Sequence, residues 1–301
     1  METSVDTGTI LFALGLSVFA GLSTGIGSLL AFFAKETNKK LLTLAMGFSA
    51  GVMIYVSFAE LLPEAGHALA EAQGKTFGGA VTIIAFFAGM LLIAAIDRLV
   101  PSAENPHEFA EAREPALLAV RADGQEQVVE RFAALTEPAA TGAETPRADS
   151  RPRLMRVGAL TAFALAVHNF PEGIATFVGA VKDPTIGIPI AIAVAIHNIP
   201  EGIAVSLPVF YATGDRRKAF MFSLFSGIAE PLGALAAFLA LMPFLSDTLF
   251  GVLFAAVAGI MVFISLDQLL PAAEEYGEHH LAIYGVVSGM AVMAVSLLML
   301  A

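Results

Sequence analysis

A six-residue phrase is written twice in this chain, as His168-Asn169-Phe170-Pro171-Glu172-Gly173 and as His197-Asn198-Ile199-Pro200-Glu201-Gly202. Within each copy His and Glu stand four residues apart, which puts an imidazole and a carboxylate on one face of a helix. Asn169 and Asn198 follow at the edge of that face. Each proline lacks an amide hydrogen and crowds the preceding turn, which should loosen the carbonyls near Val167 and Ile196. The glycine after each Glu lets a neighbouring helix or a ligand come close. Both copies lie inside apolar runs, 159–180 and 186–212. Imidazoles, carboxylates and amides are unfavourable there unless something binds them, and a metal cation is the obvious candidate.

Further carboxylates stand in apolar surroundings. Glu230 lies in Ser-Gly-Ile-Ala-Glu-Pro-Leu-Gly, with proline after the acid rather than before it. It reads as a third carboxylate ligand, with a proton carrier or a helix–helix hydrogen-bonder as the alternatives. Glu60 is another, and Met53 precedes it by about two helical turns; a methionine at such a place is more often core filler than a ligand. Asp267, in Ser-Leu-Asp-Gln, divides between a residue on the ion's path and an interfacial ion pair. His279 and His280, beside Glu274, Glu275 and Glu278, read as a solvated acidic loop, with an exit patch for metal as the alternative. His67 with Glu64 and Glu71 is a weaker counterpart.

Mixed nitrogen and oxygen ligands suit zinc, iron, cobalt, nickel, manganese or cadmium better than calcium or magnesium, which prefer oxygen alone. Two His and three Glu exceed what one tetrahedral ion needs, and Glu172 and Glu201 can bridge two adjacent ions. Alternative, individually weak resting places are what transport requires and tight structural binding does not. Neutral imidazole and ionised carboxylate are the binding forms, so affinity should fall in acid.

The elements that must position these groups are membrane helices. Of 301 residues 57% are hydrophobic and only 14% charged, and the mean hydropathy is +0.77. A soluble domain would be nearer a quarter charged, so the chain reads as an integral membrane protein. It contains no Cys, which excludes disulfides, thiolate metal sites and cysteine nucleophiles. Eight apolar stretches are long enough to cross a bilayer: 8–34, 41–63, 77–100, 155–180, 186–212, 217–243, 248–272 and 281–301. The first carries acidic rather than basic residues ahead of it and is too long for a signal peptide, so it reads as a retained span.

Residues 1–100 hold spans 1–3, and 154–301 hold spans 4–8 with the repeated phrase. Between them, 101–153 is rich in Pro, Ala, Glu and Arg and should be a largely disordered cytoplasmic loop with a transient helix near 108–135. Metal sensing by this loop would rest on His107 alone. With eight spans, fourteen of the sixteen Lys and Arg residues fall on one side, all but Lys75 and Lys182. That asymmetry turns both termini outward. Spans 4 and 5 are consecutive and therefore antiparallel. The same phrase in both implies a pseudo-two-fold axis in the membrane plane, an inverted repeat of the kind transporters use around a midplane site.

The paired His-Asn-x-Pro-Glu-Gly phrases, with Glu60 and Glu230-Pro231-Leu232-Gly233 in their eight-span setting, resemble the ZIP (Zrt/Irt-like) metal transporters, in particular the bacterial ZupT-type branch. The likeness runs over nearly the whole chain outside 101–153. It implies an all-α membrane protein of eight helices in a 3+2+3 arrangement with inverted pseudo-two-fold symmetry. It also implies influx of divalent transition metal, zinc first, through a binuclear site between spans 4 and 5 closed by span 6. By that resemblance His168, Glu172, His197 and Glu201 form one metal position with Met53 beside it. Asn169, Glu172, Asn198, Glu201 and Glu230 form the other, the two Glu bridging. Glu60 stands where the family varies, and its carboxylate resembles the broad-specificity bacterial members. Family likeness further implies spans 1, 4, 5 and 6 moving against spans 2, 3, 7 and 8, a bacterial inner membrane with the termini in the periplasm, and often a homodimer. The family's histidine-rich loop is nearly absent here. The expected partners are divalent metal ions and lipid, without nucleic acid or nucleotide, and no cofactor beyond the transported metal, zinc or iron. An intramembrane metalloenzyme is the rival from another class, but no His-Glu-x-x-His phrase is present, nor a Walker A phrase for a pump. A metal-selective channel with the same site would read similarly.

Overall fold

Helices follow where the apolar runs predict them, with boundaries set by caps. The computed structural model describes residues 6–33, 39–99, 151–275 and 279–300. The expectation of a disordered loop over 101–153 with a transient helix near 108–135 lies outside the described residues, save that 151–153 form the start of a helix. Eight helices are described: α1 (Thr7–Phe33), α2 (Lys39–Val56, continued by a π-helical turn Ser57–Leu61 and by Leu62–Gln73), α3 (Lys75–Leu99) and α4 (Arg151–Lys182). They continue with α5 (Pro184–Thr213), α6 (Arg216–Ala236, with a π turn Ala237–Leu241), α7 (Asp247–Ile264, a π turn Ser265–Leu269 and Leu270–Glu275) and α8 (His279–Leu300). No strand occurs among the described residues.

Asp183, Asp215 and Ser246 cap α5, α6 and α7 by accepting backbone N–H groups of their first turns. Gly214, at φ +68°, ends α5 in the left-handed conformation that costs glycine least.

Two expected boundaries are corrected. The apolar run ends span 2 at residue 63, yet α2 continues to Gln73. The π turn at Ser57–Leu61 restarts the helix so that Pro63 falls in its first turn, where a missing N–H does no harm. The added turns bury Ala65, Ala68 and Leu69, with Leu69 and the Ala65 carbonyl against Gly251 of α7. Helix α4 also begins earlier than expected, at Arg151.

Among the described residues, seven helices meet both the length and the apolarity of a membrane crossing. Helix α4 is the exception. At 32 residues it is long enough, but it carries an arginine-rich start and the first polar phrase. It packs against α5, α6 and α1, and His168, Asn169 and Glu172 of that phrase are buried among helices rather than turned to lipid.

The packing forms two groups. Helices α1, α4, α5 and α6 contact one another, as do α2, α3, α7 and α8 in a chain of neighbours, and the groups meet where α2 touches α5 and α7 touches α4. Within each group glycines let backbones touch, as small residues do in membrane helices. The contacts recur in matched register. Gly202 of α5 lies against the Thr24 carbonyl of α1, as Gly173 of α4 lies against the Glu230 carbonyl of α6. Gly27 meets the Ile199 carbonyl as Gly233 meets the Phe170 carbonyl, and Gly21 and Gly227 face each other's carbonyls. In the second group the Ser57 hydroxyl bonds the Met53 carbonyl at 2.7 Å, and Ser265 bonds the Met261 carbonyl at 2.8 Å, each opening a π turn. The pattern maps α1 onto α6, α2 onto α7 and α4 onto α5.

Candidate metal centre

Helices α4 and α5 are joined by one residue, Asp183, so they run antiparallel in contact and bring the two phrases face to face. Both helices pass without interruption through Pro171 and Pro200. Glu172 sits between the two histidines. Its Oε1 lies 3.2 Å from His168 Nε2 and its Oε2 3.2 Å from His197 Nε2. Glu201 Oε1 stands 3.5 Å from His168 Nε2. The imidazole rings are 6.3 Å apart between centroids. One donor atom from each of His168, His197 and Glu201 lies within 4.8 Å of the others. Tetrahedral zinc with ligands at ~2.1 Å holds its donors ~3.4 Å apart, so closing this set asks only for small side-chain shifts.

All four side chains are at most 2% exposed. Many of their polar atoms lack a hydrogen-bond partner, among them both oxygens of Glu201, Oε1 of Glu172, Nδ1 of both histidines and Nε2 of His168. Among the described residues no Lys or Arg pairs with these carboxylates. Buried carboxylates with unpartnered oxygens and no Lys or Arg beside them, set against two imidazoles, are what a divalent cation would satisfy.

The asparagines and Glu230 form the adjoining half. Asn198 Nδ2 donates to the Ala20 carbonyl at 3.0 Å and to Glu230 Oε1. Asn169 Nδ2 donates to the Ser226 carbonyl at 3.1 Å. Both amide oxygens and Glu230 Oε2 are left without partners, and Glu230 interacts through space with Glu172 and Glu201. Gly173, pressed on the Glu230 carbonyl, sets this carboxylate beside the first phrase. The close approach expected of the glycine after each Glu is therefore present in both copies.

The remaining candidates sit at graded distances. Met53 is fully buried, one turn past Ser49, whose hydroxyl donates to the His197 carbonyl at 3.3 Å. Ser49 thus fixes the face of α2 that meets α5, a contact that no spacing in the sequence signalled. Glu60 is partly buried in the first π turn, about 10 Å along α2 from Met53, and its charged neighbour is Glu64. Asp267 is exposed in the π turn of α7. His279 Nδ1 lies 2.7 Å from Glu274 Oε1, both side chains exposed and apart from the buried cluster.

Comparison with known proteins agrees with this geometry. The family described as ZIP Zinc transporter matches residues 8–297. A protein of Lysinibacillus sphaericus (strain C3-41) named Zinc transporter ZupT is 56% identical over 293 residues, covering 97% of this chain and 99% of that protein. Proteins with the same name from Nitratidesulfovibrio vulgaris (strain Hildenborough) and Clostridium perfringens (strain 13) are 52% and 51% identical. They cover 98% and 99% of this chain, and 99% of each relative.

Proposed function

The chain belongs to the ZIP Zinc transporter family, a multi-pass membrane protein and a transporter rather than an enzyme, and on that premise we propose that it imports divalent transition metal into the cytoplasm. Zinc is the first candidate, and iron, manganese, cobalt and cadmium share its preference for this donor set. The ion sheds water onto His168, Glu172, His197 and Glu201, with Met53 beside them. A second position is supplied by Asn169, Asn198 and Glu230 together with the same two Glu, which bridge. The observation that carries this reading is Glu172 standing 3.2 Å from both histidines in a buried cluster.

Alternating access follows from moving α1, α4, α5 and α6 against α2, α3, α7 and α8, the site lying where the groups meet. The matched register of glycine contacts and π turns supports a 3+2+3 arrangement about a two-fold axis in the membrane plane. The charge asymmetry supports termini on the outer side of the bacterial inner membrane. From there Glu60 would stand on the approach to the site and Asp267 on the way out. A titration of purified, metal-free protein with zinc tests the site. The wild type should bind two ions, and Glu201→Gln, which removes a bridge, should lose at least one. Two ions bound unchanged to that variant would overturn the assignment.

A further inference from the structure

At the end of the bundle where α4 turns into α5, the two helix groups are tied together. Lys182, the last residue of α4, pairs with the carboxylate of Asp247 in the first turn of α7. The Lys182 ammonium also stands 4.8 Å from the centre of the Phe250 ring, within reach of a cation–π attraction. Phe250 stacks on Phe254 with centroids 4.1 Å apart, and both rings are buried. Phe254 in turn fills a notch in α4 and α5. A Cβ added at Gly179 would stand 3.0 Å from Phe254 Cζ, beside Ile190 and Ile186. Ile190 also lines a small cavity between α2, α4, α5 and α7, together with Glu172, Val194, Val257 and Met261.

Both ends of this tie are held firmly. The Asp183 carboxylate accepts the Thr185 N–H at 2.8 Å and its hydroxyl at 2.7 Å. The Ser246 hydroxyl accepts the Leu249 N–H at 3.2 Å. Lys182, in the α4–α5 turn beside the cap of α5, and Asp247, in the capped first turn of α7, are therefore held in ordered turns, and their separation reports the position of one helix group against the other.

We propose that Lys182, Asp247 and the Phe254–Gly179 notch form a releasable latch that closes the metal site from this face. The inference rests on the two-group transport cycle proposed above, in which this face is external. The cavity beside Glu172 is walled by α4, α5 and α7 together with α2; an ion entering from this face between α4 or α5 and α7 passes the pair and the notch, and that seam parts only if both separate. The strength of the pair suits such a role. Lys182 is 32% and Asp247 56% exposed, so solvent screens their attraction, and thermal motion can break it in each cycle. A dry, fully buried pair would instead hold the transporter shut.

The chain has no cysteine, so paired cysteines can be introduced without interference. A Lys182→Cys/Asp247→Cys double variant in proteoliposomes is joined by a short, reducible bifunctional methanethiosulfonate, and joining is read from intact mass. Zinc influx should fall about tenfold or more on joining and return with reductant, because the seam can no longer open. Joined protein that transports at the unjoined rate overturns the latch, and so does failure of the two thiols to be bridged. A second readout needs no flux. In an Ile190→Cys background, Asp247→Asn should raise labelling by an impermeant maleimide about fivefold, the loss of one exposed ion pair with its cation–π support. The exchange Lys182→Asp/Asp247→Lys should return labelling to the parent rate, and labelling indifferent to both changes overturns the latch. Absence of saturable influx in the unjoined parent would instead fail the transport reading, with labelling still deciding the latch.

Discussion

Gly202→Ala places one methyl group at a tight seam beside the candidate metal centre. Its Cβ would fall on the Thr24 carbonyl, well inside the 3.0 Å that real Cβ contacts respect, with the Ser223 hydroxyl at 3.1 Å on another side. Backbone cannot yield as a flexible side chain can, so α1 and α5 must part by about 1 Å. A gap of ~0.5–1 Å forfeits between a quarter and a half of the dispersion attraction across the seam. The reciprocal contact of Gly27 with the Ile199 carbonyl lies on the same seam and loosens with it. Overpacking of this kind costs about 1–3 kcal/mol. Glu201 is the neighbouring residue, so its carboxylate shifts with the helix, and zinc influx should fall about tenfold or more, since sites tolerate ~0.5 Å of displacement poorly. Gly66→Ala is the control. Nothing lies within 4 Å of the added methyl, and the exchange within a helix should be neutral or stabilising by about 0.5–1 kcal/mol. Thermal unfolding in detergent and zinc influx into proteoliposomes check both variants. Wild-type stability and influx in Gly202→Ala, or equal effects of the two substitutions, would refute the packing argument.

Other expectations follow from single contacts. Asn198→Ala removes the donor to the Ala20 carbonyl and to Glu230, leaving two buried acceptors and costing about 2–5 kcal/mol; a melting temperature unchanged in metal-free protein would contradict it. Ser49→Ala frees the His197 carbonyl from α2 at a cost of about 1 kcal/mol, and should weaken zinc affinity in a titration while leaving the number of bound ions unchanged. Asp183→Ala removes the cap of α5 at a cost of about 0.5–1 kcal/mol. The Thr185 N–H and hydroxyl hold the Asp183 carboxyl below its ordinary value of 3.8, so this stabilisation is full above that pH and is lost as acid protonates the folded carboxyl. The melting-temperature gap between wild type and Asp183→Ala should therefore be constant from pH 7 to pH 5 and shrink below about pH 4.

Much of this architecture is legible in the chain because membrane helices announce themselves by length and apolarity. The centre is legible because the same polar phrase occurs in two adjacent helices. Antiparallel packing of α4 and α5 follows from a connection of one residue, and that packing alone brings His168, Glu172, His197 and Glu201 together. The contacts of Gly173 and Gly202 could also be read, since glycine after a buried acid has few other uses. Other features depend on partners far along the chain. Ser49 is one hydroxyl in an apolar helix, with no periodicity to mark it, and it finds the His197 carbonyl only through tertiary packing. The run of α2 past Pro63 depends on a π turn that leaves no compositional trace. Thr24 and Gly27 acquire meaning only once α1 is seen against α5, and Lys182 finds Asp247 at a separation of 65 residues.

The most direct test of the central claim, that the twice-written phrase forms one intramembrane transport site, is zinc influx into proteoliposomes at several external concentrations, with wild type beside Glu201→Ala. Both proteins should insert and elute alike from a sizing column. The wild type should show influx that saturates with zinc, and Glu201→Ala should show none above empty vesicles. Saturable influx of normal size through Glu201→Ala, or tight binding of zinc by the wild type without flux, would contradict the account.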